Sequence, residues 1–265
     1  MPRKMKGILI YDEIGRKRNT WFIDKLISEA ERFSLNIALT SPEKAIEENA
    51  SFAIVRTIDP ILTHTLEAKG IKVFNNSKTA EIANDKWKTY LFAKNLGIPT
   101  MQTCLNEPFK EYPFVLKSLD GHGGSEVFWI SCQDEYQEIT KKLHSIGKRY
   151  LTQAPAKTLG VDVRIFLIGT KVVGCVKRYN DNSFKSNYSL GGNVEKFEPT
   201  NEQIEIATTL AKELDSDYIG VDFIYNGGWV LNEIEDVCGA RTLYATTNED
   251  IAIKYLQRIS DKLNV

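Results

Sequence analysis

The chain has 265 residues, 42% of them hydrophobic, with 34 Lys and Arg against 35 Asp and Glu and a formal net charge of −1. That length and apolar content suffice for a full core without disulfide staples, in one large domain or two to three small ones, and they exclude a highly charged disordered chain. The balanced charge argues against a broad basic face for nucleic acid. No apolar run reaches the roughly 18 residues a membrane-spanning helix needs. Gly7–Tyr11, which follows the basic Met1–Lys6, is too short for a secretory core. Cys104, Cys132, Cys175 and Cys238 form no CxxC pair and have no histidine at metal spacing, so reduced thiols in a cytoplasmic chain are expected. None of His64, His122 and His144 lies in a triad motif.

In chain order, Gly7–Tyr11 is a short apolar run of the kind a buried parallel strand shows. The spacing of Trp21, Phe22, Leu26, Ile27 and Ala30 predicts an amphipathic helix over Asn19–Phe33, with Trp21 and Phe22 in the core. Arg16-Lys17-Arg18 reads as a solvated loop, or as a cationic patch that meets an acidic substrate. Ile37–Leu39, Phe52–Val55 and Ile71–Phe74 read as strands, and Pro60–Lys69 as a helix stopped by Gly70. The alternation predicts a small parallel sheet covered by helices. No GxGxxG turn follows the first strand, so a dinucleotide site is not indicated there.

After Asn84 the pattern changes. Asp85–Asn95 is helical and stops at Gly97-Ile98-Pro99. Strands Phe114–Lys117 and Val127–Ile130 flank a glycine-rich loop, followed by a helix over Gln133–Ile146 and a strand over Tyr150–Gln153. Val163–Ile168 and Lys171–Val176 flank the hairpin turn Gly169-Thr170. A helix over Asn201–Leu214 precedes a second hairpin, Ile219–Tyr225 with Trp229–Ile234 around Asn226-Gly227-Gly228, and a helix over Asn248–Leu263 closes the chain. The expected class is α/β in the first third and α+β beyond.

Four constellations carry chemistry. Gly121, Gly123 and Gly124 lie between two strands, which excludes both the Rossmann turn and the Walker loop. They allow a mobile hairpin tip, or a flap whose amides approach an anion, and Lys117 on the incoming strand favours a polyphosphate. Glu233 and Glu235 point to one sheet face. Asp222 joins them there if the hairpin loop has two or four residues, and faces away if it has three. Three clustered carboxylates favour a hard divalent ion over a solvated face. Asp162 and Arg164, again two apart, would form a surface ion pair or hold a sugar hydroxyl and a phosphoryl oxygen. Lys177-Arg178, Asn182–Asn187 and Leu190-Gly191-Gly192-Asn193 form a polar loop long enough to serve as a substrate loop, or an ordinary surface loop.

The order of these parts resembles an ATP-grasp ligase. The residues that carry the likeness are Asn84-Asp85-Lys86, Lys117 with its flap, Gly160-Val161-Asp162-Val163-Arg164, Phe184-Lys185-Ser186-Asn187 with Gly191-Gly192, Gly220-Val221-Asp222 and Asn232-Glu233-Ile234-Glu235. Within that superfamily the chain is most similar to the RimK-type carboxylate–amine ligases, from about Lys6 onward. The resemblance implies an N-terminal α/β pre-ATP-grasp domain (residues 1–84), a central lid (85–154) and a C-terminal antiparallel-sheet domain (155–265). It implies ATP as co-substrate, with phosphates at Lys86, Lys117 and the flap (Gly121, Gly123, Gly124, Ser125), adenine at Gln153 and Ala154, and ribose at Asp162. Two Mg2+ ions, with Mn2+ as a substitute, would sit on Asp222, Glu233 and Glu235. Arg164, Lys185, Asn187 and Arg241 would face the reacting groups.

The implied partners are a carboxylate and an amine, the amine an amino acid such as glutamate or a peptide; a homo-oligomer stays open, and neither nucleic acid nor membrane is expected. The competing classes are an ATP-dependent phosphotransferase and a non-catalytic ATP-binding module. Two departures from the family pattern stand out. Glu235 and the turn Asp236–Arg241 replace an asparagine followed by Ser-Pro-Gly, which leaves the acceptor preference open, and Gln153 stands where an acidic residue is common.

Overall fold

The computed structural model describes residues 4–186 and 191–265. Asn187, expected at the reacting groups, lies outside the described residues. The first part runs β1 (Met5–Ile10), α1 (Glu13–Arg18), α2 (Thr20–Glu29), β2 (Leu35–Thr40), α3 (Pro42–Ala45), β3 (Phe52–Val55), α4 (Pro60–Ala68), β4 (Lys72–Phe74) and α5 (Ser77–Ala83). Its four strands are parallel in the order β2-β1-β3-β4. Both faces of this sheet are buried, so alternate residues of β1 feed different cores. Ile8 and Ile10 pack with Leu62 and Leu66 of α4, whereas Leu9 packs with Phe22 and Leu26 of α2. That two-sided burial is why the strands read as continuous apolar runs.

The expected helix over Asn19–Phe33 is shorter. α2 ends at Glu29, and Ala30–Phe33 tighten into a 3-10 turn that Ser34 closes in the left-handed region at φ 57°. Arg16-Lys17-Arg18 form the last turn of α1 instead of a loop, because the Asp12 side chain accepts from the Gly15 amide and caps a helix there. Phe22 is buried as expected, but Trp21 is 39% exposed and stands edge-on to Phe22 and Tyr244.

The middle part comprises α6 (Lys86–Asn95), β5 (Thr103–Leu105), β6 (Phe114–Ser118), β7 (Val127–Ile130), α7 (Gln133–Ser145) and β8 (Tyr150–Gln153). Its antiparallel sheet, in the order β5-β8-β6-β7, has its own small core of Phe114, Leu116, Ile130, Leu143 and Tyr150. The glycine loop joins β6 to β7, as the sequence indicates.

The last part runs β9 (Val161–Ile168), β10 (Lys171–Tyr179), β11 (Asn193–Lys196), α8 (Asn201–Leu214), β12 (Tyr218–Tyr225), β13 (Trp229–Glu235), α9 (Arg241–Thr246) and α10 (Ile251–Leu263). Its sheet is antiparallel in the order β11-β10-β9-β12-β13. Val163, Ile165 and Leu167 face α8, whose Ile206, Leu210 and Leu214 cover them. On the opposite face Phe166, Ile168 and Tyr218 pack with Tyr255 and Leu256 of α10 and with Phe52 and Phe74 of the first sheet. Period-two alternation puts Asp162 and Arg164 on that same face, beyond Phe166. The face is therefore apolar at one end and charged at the other. Among the described residues no helix is long and apolar enough to cross a membrane, and all four cysteines are free.

Candidate active site

The β12–β13 loop has three residues, with Tyr225 opposite Trp229. Straight pairing from that turn would set Asp222 opposite Asn232 and away from both glutamates. A bulge corrects this: Phe223 pairs with Leu231 and Asp222 with Glu233, so Asn232 has no partner and Gly220 faces Glu235. Asp222, Glu233 and Glu235 thus share a face despite the odd loop. The β9–β10 hairpin carries a second bulge. Val172 pairs with Leu167 and Gly174 with Phe166, which skips Val173 and brings Arg178 opposite Asp162.

The result is a chain of alternating charge. Arg178 donates to Asp162 at 2.7 and 2.5 Å and to Asp222 at 2.7 Å. Arg164 holds Asp222 through two bonds of 2.7 and 2.6 Å and reaches Glu235 at 2.5 Å. Burial alone would push the Asp222 carboxyl up, but Arg164 and Arg178 outweigh it and bring it down to about 2. Beside this chain, Lys86 lies 3.1 Å from Glu233, and Lys117 donates to the unpaired Asn232 at 2.8 Å. Burial lowers Lys117 to about 8, against the pull of Glu233. Glu233 is held below the usual carboxylate range, burial being overcome chiefly by Lys86. Burial raises Glu235 in spite of Arg164.

A cleft under the glycine loop collects most of the expected residues: Lys86, Lys117, Gly121, Gly123, Gly124, Gln153, Ala154, Asp162, Lys185, Asp222, Glu233 and Glu235, with Arg178 and Asn232 added. Lys86 donates to the Gly121 carbonyl and Lys185 to the Gly124 carbonyl at 2.8 Å, so two lysines tie the loop down from opposite sides. Lys185 reaches it because Gly160, in the left-handed region at φ 67°, lets the 180–186 segment close over it; a Cβ there would meet the carbonyls of Asn180 and Ser183 at 2.4 Å. The Gln153 amide donates to Thr103 Oγ1 at 3.1 Å.

Three placements bear on the expected roles. Asp162 does not stand free for a sugar hydroxyl, because Arg178 takes both its oxygens. The three carboxylates share a face, but among the described residues no group of three His, Cys, Asp or Glu side chains is gathered to hold a metal, since the arginines stand between them. Ser125 lies outside the nucleotide-side cleft and bonds the His122 carbonyl at 3.1 Å, while Arg241 lines a second cleft together with Arg164.

That second cleft, about 400 Å3, is formed by Arg18, Arg164, Arg178, Glu235, His122 and Arg241 among others, and it meets the first at Gly123, Arg178 and Glu235. Its floor is the turn after β13. Asn75 and Asn84 hold Asp236 at 2.7 and 3.2 Å, and Arg56 donates to the Cys238 carbonyl at 2.6 Å. The sequence reading put Arg178 in a candidate substrate loop and not beside Asp162 and Asp222, and it missed this anchoring by the first sheet. The bulge at Val173 hid Arg178, since straight counting from Gly169-Thr170 sets Lys177 opposite Asp162.

Residues 83–259 match the model of the RimK-like ATP-grasp domain. The chain is 28% identical over 260 residues to the uncharacterized protein MG011 of Mycoplasma genitalium, covering 91% of this chain and 87% of that one. It is 28% identical over 211 residues to a probable alpha-L-glutamate ligase of Haemophilus influenzae, covering 75% and 70%. Its fold matches a RimK domain ATP-grasp protein of Sphaerobacter thermophilus with a TM-score of 0.74, at 17% identity over 98% of this chain and 100% of that one.

Proposed function

The chain belongs to the RimK-like ATP-grasp family, ATP-dependent ligases that form carbon–nitrogen bonds, and from that premise we propose that it joins a carboxylate to an amine through an acyl phosphate, the amine being an amino acid such as glutamate or a peptide. The observation that carries this reading is the junction of the two clefts, where the lysines and glycine loop of one meet the arginines of the other at Arg178 and Glu235.

Lys86, Lys117 and the amides around Gly121, Gly123 and Gly124 hold the triphosphate, and Gln153 and Ala154 line the base end. Glu233 and Glu235 are the carboxylates that would hold magnesium together with the phosphates, paired here with Lys86 and with Arg164 respectively, whereas Asp222 is bonded through both oxygens to arginine and orients Arg164 and Arg178. Bound there, magnesium would neutralise phosphate charge and polarise the transferred phosphoryl group. A carboxylate is a poor electrophile, so its oxygen first takes the γ-phosphoryl group and ADP leaves. The amine then attacks the acyl carbon, phosphate departs, and Arg164 stabilises the oxyanion. Lys185, bonded to Gly124, closes the loop and keeps water from the acyl phosphate.

Hydroxylamine trapping tests this. Protein, Mg-ATP, hydroxylamine and a panel of amino acids and small peptides should give ADP, phosphate and a hydroxamate that identifies the acid. A stable phosphorylated product would indicate a phosphotransferase, and ATP binding without turnover across the panel would contradict the reading for those acids.

A further inference from the structure

His122 is a residue of the glycine loop that no step above uses. It sits between Gly121 and Gly123, the latter in the left-handed region at φ 65°, in the loop that Lys86 and Lys185 tie down. Its Nε2 is shielded from solvent and has no hydrogen-bond partner among the described residues. Leaving such an atom unpaired costs on the order of 1–3 kcal/mol, which favours any movement of the loop that lets it meet a partner. The ring borders the second cleft, where Arg164, Arg178 and Glu235 surround the reacting end, and it also borders the open groove beyond, between Ile58 and Asp120. An acceptor entering along that groove passes His122 before it reaches the arginines.

Resting on the ligase reading, we propose that His122 Nε2 is the base that takes a proton from the acceptor ammonium and so frees the nitrogen lone pair that attacks the acyl phosphate. An ammonium must lose two protons to become an amide nitrogen. One goes to Nε2, the C–N bond forms, the bond from carbon to the phosphate oxygen breaks, and the second proton leaves with the phosphate. The surroundings suit this role. Lys86 of α6 and Lys148 before β8 face the ring as cations, Glu233 of β13 and Asp120 of the loop as anions, and no carboxylate forms an ion pair with it among the described residues. Burial, then Lys86, lowers its pKa below the ordinary 6.5, so the imidazole is neutral and able to accept at neutral pH.

The test compares two nucleophiles. Hydroxylamine is largely unprotonated at neutral pH and needs no base, whereas an amino acceptor arrives as its ammonium. With the acid that trapping identifies, His122→Ala and His122→Gln should lower amide formation about 10²-fold more than hydroxamate formation. In both variants the amide rate should keep climbing with pH as the free amine fraction grows, whereas the wild-type rate levels off once His122 is neutral. A parallel fall in both products would overturn the proposal and assign the ring to loop placement. So would an unchanged amide rate, or full activity in His122→Gln, whose amide hydrogen-bonds but does not take the proton. A wild-type protein that forms no hydroxamate overturns the ligase reading itself, an outcome distinct from these.

Discussion

Lys117 shows how burial tunes a phosphate ligand. Its side chain is buried between β6, which carries it, and β13, whose Asn232 is its hydrogen-bond partner, and desolvation brings it to about 8. Below pH 8 it meets ATP as a cation; above, the ATP-free protein must first protonate it. Affinity for ATP should therefore weaken as pH rises through about 8, seen as a rising KM for ATP. Lys117→Ala should cut ATP turnover by orders of magnitude at neutral pH, and near-normal turnover would remove it from the site.

Asp222 makes the opposite case. Held down to about 2 by Arg164 and Arg178, its ionised form stabilises the fold fully above the ordinary carboxylate range, and that contribution is lost as pH falls through about 2. Asp222→Asn should cost about 3 kcal/mol in denaturant unfolding, because both guanidiniums stay buried and lose their shared partner. At this scale the sequence was informative where spacing is local. Glu233 with Glu235 and Asp162 with Arg164 are each two apart on one strand, and their shared face follows at once.

At the scale of elements, two unpaired residues decide which charges meet. Without the bulge at Asn232, Asp222 would face away from the glutamates, and without that at Val173, Lys177 would replace Arg178 beside Asp162. Neither bulge is visible in the alternation of apolar and polar residues, because a bulge depends on which partner residue is skipped across the ladder. The loop-length argument for Asp222 therefore reached the shared face through a condition the hairpin does not meet. Helices of four to seven residues, α1, α3, α5 and α9, also escaped the reading, since a turn or two gives no 3.6-residue period to detect. The longer α8 lies over Asn201–Leu214 as its pattern indicates, closed by a Thr200–Gln203 capping box. Gly160 gives an element-scale prediction. Gly160→Ala puts a methyl group against two backbone carbonyls in a left-handed conformation. It should lower thermal stability by the equivalent of about 1–3 kcal/mol and displace the Lys185 segment, with a higher KM for ATP than in the wild type.

Across the whole molecule, one core spans the first and last sheets. Phe52 and Phe74 meet Phe166, Tyr218 and Tyr255 there, while the middle sheet closes on its own small core. We propose the three-part division at residues 84 and 154 on this basis, with the first and third parts unfolding together and the middle sheet opening alone. Hydrogen exchange should then show β5 to β8 opening at lower free energy than β1, β9 and β12, with Mg-ATP slowing the glycine loop and β6 most. Equal protection in all three sheets would contradict that division. The parallel first sheet was legible from its alternation of strands and helices, and the antiparallel last sheet from its hairpin turns. The shared core was not, because residues far apart in sequence supply it.

The central claim is that a carboxylate oxygen of the substrate accepts the phosphoryl group. The most direct measurement labels the carboxylate of the acid found by trapping with 18O and follows the label during amide formation with Mg-ATP. One 18O should appear in inorganic phosphate for each amide and each ADP formed. Unlabelled phosphate, or release of AMP and pyrophosphate, would contradict the account.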